Sequence, residues 1–71
     1  MELKKYVELT GLPKKVVAYM LKISPYALSN YLSGRRTPTL EIAYRIIILS
    51  KEEVTIKDLL NTAKKRKHDK D

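Results

Sequence analysis

Apolar residues recur along the chain at spacings of three and four, in short blocks divided by glycine, proline and small hydroxyl residues. Over 2–9, Leu3, Tyr6, Val7 and, more loosely, Leu9 mark one side of a short amphipathic helix. Thr10-Gly11 ends it, because Gly11 suits the left-handed backbone that closes a helix. Pro13 opens a second helix over 13–21, where its missing N–H is harmless, with Val17, Ala18 and Leu21 on one face. After Lys22-Ile23, Ser24-Pro25 is a strong start signal for a third helix over 25–33, with Leu28, Tyr31 and Leu32 inward. Ser33-Gly34 stops it and Arg35-Arg36-Thr37-Pro38 forms a loop. Thr39 caps a fourth helix over 40–49, whose expected inward stripe is Leu40, Ala43, Tyr44 and Ile47. Residues 50–54 connect to a fifth helix, capped by Thr55 with Asp58 three residues on, and striped by Ile56, Leu59, Leu60 and Ala63. Val16-Val17 and Ile46-Ile47-Ile48 have strand propensity, but the spacing and the caps outweigh it. The expected fold class is all-α, with five short helices.

Composition narrows the function more than the fold. The chain has 71 residues, one domain's worth, and no cysteine, so disulfides, thiolate zinc sites and thiol nucleophiles are excluded. Its single histidine, His68, sits in a charged tail, which argues against a Ser-His-Asp triad and a multi-histidine metal site. Nothing resembles a nucleophile–base pair or a phosphate-binding glycine loop, so no enzyme activity, cofactor or metal is expected. No apolar run approaches the roughly 18 residues of a membrane span and no signal peptide is visible. The expectation is a soluble cytoplasmic protein with no membrane partner.

Fifteen Lys/Arg against eight Asp/Glu leave a net charge of +7. That points to a polyanion, above all nucleic acid, although the charge could serve solubility alone. The excess is unevenly spread. Residues 1–34 carry five Lys and two Glu, and Arg35-Arg36 add two more cations. The stretch from about 37 to 60 is near neutral and rich in Ile and Leu, and basic residues return in 64–71. The expected organisation is a domain over 1–63 and a flexible basic tail over 64–71, the latter either tracking phosphates or only aiding solubility.

The informative stretch is 13–34: two short helices, a break of about three residues, and the small Ala18 where the helices would cross most closely. With Gly11-Leu12, Ala18, Leu21, Ile23-Ser24, Leu28-Ser29, Gly34 followed by two basic residues, and Pro38-Thr39-Leu40-Glu41, residues 3–60 resemble the lambda-repressor/Cro-like (XRE-type) helix-turn-helix family. Three departures stand out. Lys22 occupies the turn position where the family usually has glycine, which implies a left-handed conformation at some cost. Pro13 stands where the family often has a capping threonine, and Val17 where leucine is more frequent.

The resemblance implies a compact lambda-repressor-like domain that binds double-stranded DNA sequence-specifically, with helix 25–33 in the major groove. The residues agree with it: the expected outward positions Pro25, Tyr26, Ser29 and Asn30 are candidate base readers, Asn30 through a bidentate pair with adenine. That helix carries no charge, so affinity must come from flanking phosphate contacts, for which Lys14, Lys15, Lys22, Ser33, Arg35 and Arg36 are candidates. Alternatives stand beside these: Asn30 as a plain surface residue, Tyr26 packed under the first helix, Arg35-Arg36 as a solvated loop. Tyr6, Tyr19, Tyr31 and Tyr44 are expected in the core or at its rim.

Ile42 and Leu49, opposite the expected stripe, with Val54, Ile56 and Leu60, make a candidate dimer or partner face unless the fifth helix covers it. A two-fold homodimer would suit a near-palindromic operator. The leading expectation is thus a small transcriptional regulator, most simply a repressor. The alternatives are an antitoxin-like or adaptor protein gripping a protein partner by the 42–60 face, and a non-specific architectural DNA binder.

Overall fold

Glycine and small-residue punctuation sets the ends of the helices. A computed structural model describes residues 1–62; Ala63 and the basic tail 64–71 lie outside the described residues. Helix α1 spans Leu3–Thr10, α2 Lys14–Leu21, α3 Pro25–Ser33 and α4 Leu40–Leu49. A fifth helix, α5, begins at residue 56 and is described as far as 62. There is no strand among the described residues, and the domain is compact and all-helical.

Each boundary has a local cause. Gly11 closes α1 at φ 70° and Gly34 closes α3 at φ 78°. Lys22 closes α2 at φ 60°, in the left-handed conformation expected of it, with its N–H on the Tyr19 carbonyl and the Ile23 N–H on the Ala18 carbonyl, both 3.0 Å. This is the paired closing pattern that glycine ordinarily supports, made here by a lysine. Pro13 is the capping residue of α2 rather than its first helical one, so the helix starts one position later than expected. The Ser24 hydroxyl accepts from the Ala27 N–H at 3.0 Å and the Thr39 hydroxyl from the Ile42 N–H at 3.3 Å, which fixes the starts of α3 and α4. At α5 the Thr55 N–H donates to Asp58 Oδ2 (2.9 Å) while the Asp58 N–H donates to Thr55 Oγ1 (3.2 Å), the reciprocal box read from the sequence. The Met1 ammonium donates to the same carboxylate at 2.7 Å and to the Glu53 carbonyl at 2.8 Å. That ammonium first, and the Thr55 N–H after it, hold the Asp58 carboxyl below its ordinary pKa.

The core is built from Leu3 and Val7 of α1, Val17, Ala18 and Leu21 of α2, Leu28 of α3, Ala43 and Ile46 of α4, and Val54 and Leu59. Helix α2 packs against both α3 and α4. Ala18, fully buried, is the small residue expected to let α2 and α3 approach.

Helix α4 is rotated from the expected orientation. Its buried residues are Ala43 and Ile46, with Ile42 and Leu49 packed against the core. Leu40 and Tyr44, expected inward, are 82% and 64% exposed. Ile42 and Leu49 therefore do not form an outward partner face, and Val54, fully buried in the core, is no part of one. Only Ile56 and Leu60 of that set are exposed. The physical reason is that LEIAYRIIIL is apolar on nearly every side, so a three-to-four period fits more than one rotation. Tertiary contacts decide: Ile46 joins Ala43 in the inward position, and Arg45 Nη1 donates to the Leu21 carbonyl at 3.1 Å. Ser50, buried just past the helix, donates to the Ile47 carbonyl and accepts the Val54 N–H. Tyr6 packs as expected, its hydroxyl donating to the Leu49 carbonyl at 3.2 Å, and Tyr31 is half-buried, but Tyr19 and Tyr44 are exposed.

Candidate nucleic-acid interface

Helix α3 turns one side inward through Leu28, with Tyr31 and Leu32 packed at the core edge. Its outward side begins with Pro25 and Tyr26 and continues through Ser29 to Ser33, all exposed. Tyr26 is 73% exposed and does not pack under another helix. None of these side chains is charged, so what α3 offers is two hydroxyls, a phenol and a small apolar edge.

Cations, with one acid, Glu8, among them, border that surface at its Ser29 and Ser33 end. Ser29 and Ser33 line a cleft of about 250 Å³ together with Leu32, with Lys4, Val7 and Glu8 of α1, and with Lys14 at the start of α2. One expected base reader and two expected phosphate contacts are thereby brought to a single place. Lys15 is exposed beside Lys14 in a first turn without an acidic residue. The opening amides of a helix have no carbonyl of their own to bond, so this end adds partial positive charge to that of the two lysines. Lys4 was not among the expected contacts. Its place on the polar side of an amphipathic helix gave no signal, because only the docking of α1 beside α3 makes it a neighbour of Ser29.

Two expected site residues lie elsewhere. Asn30 is 3% exposed, so it is neither an outward base reader nor a plain surface residue. The chain after Gly34 doubles back over it: its carbonyl accepts the Arg36 N–H at 3.2 Å and the Ser33 hydroxyl at 3.2 Å, and its Oδ1 accepts from Arg35 Nη1 at 3.4 Å. Asn30 organises the loop that presents Arg35 and Arg36, both exposed. Lys22 is exposed, but it lines a different cleft with Met20, Tyr44, Arg45, Ile48 and Leu49, away from Ser29 and Lys14.

Among the described residues no three His, Cys, Asp or Glu side chains come together as a metal would require, and no buried side-chain polar atom lacks a hydrogen-bond partner. No described helix is long and apolar enough to cross a membrane. No family model matches the chain, nor does any curated protein or solved structure.

Proposed function

We propose that the protein is a sequence-specific double-stranded DNA-binding transcriptional regulator, most simply a small repressor, in which α2 and α3 act as a helix-turn-helix and α3 enters the major groove. The observation that carries the reading is an uncharged exposed side of α3, Pro25, Tyr26, Ser29 and Ser33, bordered by Lys4, Lys14 and the Arg35-Arg36 loop. An α-helix fits the major groove, where neutral polar and apolar side chains read base edges and flanking cations hold phosphates. The left-handed closure of α2 at Lys22 and the resemblance of residues 3–60 to lambda-repressor/Cro-like proteins support the same reading. A homodimer on a near-palindromic site, with two recognition helices about 34 Å apart, is the assembly this implies.

Selection of bound sequences from a random DNA pool tests it: a short, two-fold repeated motif is expected. On that motif, Lys14→Ala should weaken all sequences alike and reduce the salt slope by about one, whereas Ser29→Ala should change base preference at one position by about 1–3 kcal/mol. A pool that yields no enriched motif would overturn sequence-specific recognition.

A further inference from the structure

The α4 surface that faces solvent carries a row of large apolar side chains beside the exposed Glu41. Leu40, Tyr44 and Ile48, four residues apart, form one ridge inclined to the helix axis and are 82%, 64% and 57% exposed. The ridge covers roughly 12 Å at a helical rise of 1.5 Å per residue. A groove lies at each end. One, near Leu40, is walled by Ile56 and Leu60 of α5 and by Pro38. The other, beside Tyr44 and Ile48, is walled by Met20 of α2 and edged by Lys22 and Arg45. Six of the exposed large apolar side chains, Met20, Leu40, Tyr44, Ile48, Ile56 and Leu60, thus gather in one band. Contiguous exposure of that kind on a small domain marks an interface.

We infer that a second copy of this chain occupies the band, with α4 packed antiparallel on α4 of the partner about a two-fold axis at Tyr44. Two observations select that occupant. The first is charge. Residues 37–62 hold three Lys/Arg and four Asp/Glu, a net of −1, whereas residues 1–36 hold seven Lys/Arg and two Glu, a net of +5. On α4 itself the charged residues, Glu41 and Arg45, neutralise each other as an ion pair. Two chains of net +7 repel least when they meet through the part without excess positive charge, where the ridge lies, with Lys22 at its edge. The second is self-complementarity. In an antiparallel pair centred on Tyr44, Leu40 of each copy meets Ile48 of the other, and the ridge ends fall at the grooves, as a two-fold interface requires. The segment beyond residue 63 is no alternative occupant, because KKRKHDKD contains no apolar residue.

This inference does not depend on DNA binding, and its test needs no DNA. The solution mass of the full chain at high micromolar concentration should be twice 8.2 kDa. Tyr44→Glu should return it to the monomer with helical circular dichroism unchanged, as should Ile48→Lys. Leu9→Glu, at an exposed apolar residue of α1 away from the band, should leave the dimer intact. Because the chain has no cysteine, Tyr44→Cys offers a second readout: a disulfide-linked dimer under mild oxidation, where Leu9→Cys gives none. A monomeric wild-type chain overturns the inference. So does association that survives Tyr44→Glu, or association lost equally with Leu9→Glu, which would indicate a different surface or unspecific stickiness. A monomer that nonetheless selects a DNA motif would leave the proposed function standing without this interface.

Discussion

Helices α3 and α4 are nearly equal in length, yet they turn opposite kinds of chemistry to solvent. The outward side of α3 is small and polar, and Lys4 and Lys14 from its neighbours border it. The outward side of α4 is a ridge of Leu, Tyr and Ile. Inside, the two contribute similar material: Leu28 from one, Ala43 and Ile46 from the other. A helix with a polar side has its rotation written into its sequence. A helix apolar on nearly every side does not, and the surface it leaves exposed becomes a second, unspent source of binding energy.

The largest expected effect tests the rotation of α4 itself. Ile46→Ala should cost about 2–5 kcal/mol in a denaturant melt, because it empties a fully buried position. Leu40→Ala, measured at a dilution where the chain is monomeric and Leu40 is left in water, should cost under about 0.5 kcal/mol. A larger cost for Leu40→Ala than for Ile46→Ala would mean that α4 sits with Leu40 inward. The next effect lies on α3. Asn30→Ala removes an acceptor for Arg35 within a buried site and should lower stability by about 1–2 kcal/mol, leaving base preference at any selected motif unaltered. A changed base preference would return Asn30 to the groove. The smallest effect concerns Asp58 at the start of α5. Its folded-state pKa is lowered, so its contribution is present above the unfolded value and is lost as pH falls through the folded one. Asp58→Asn should therefore cost about 0.5 kcal/mol or less near neutrality, and the gap to wild type should close below about pH 4. A pH-independent gap would show that the carboxylate's charge does not matter there.

These contrasts also mark what could be read from the sequence. Helix ends were legible because they depend on neighbours two to four residues away: Ser24 on Ala27, Thr39 on Ile42, Thr55 on Asp58, and the forced left-handed turn at Lys22. The outward placing of Tyr26 and Ser29 was legible for the same reason. Asn30 was not, because what buries it is the loop after Gly34, whose path a helical wheel does not contain. The rotation of α4 depends on a bond from Arg45 to a carbonyl 24 positions earlier, and the place of Lys4 depends on how α1 docks beside α3. Both belong to tertiary structure.

That Arg45 bond has a consequence for how the molecule folds. Helix α2 ends on a lysine in a costly conformation, and the guanidinium that satisfies the Leu21 carbonyl arrives from α4. The end of α4 in turn receives the Tyr6 hydroxyl on its Leu49 carbonyl. These two carbonyls are thus satisfied by residues remote in the chain, so α2 and α3 are not a detachable module. A peptide of residues 13–34 would lack the group that finishes its first helix, and the native domain should gain or lose its helices in a single cooperative step.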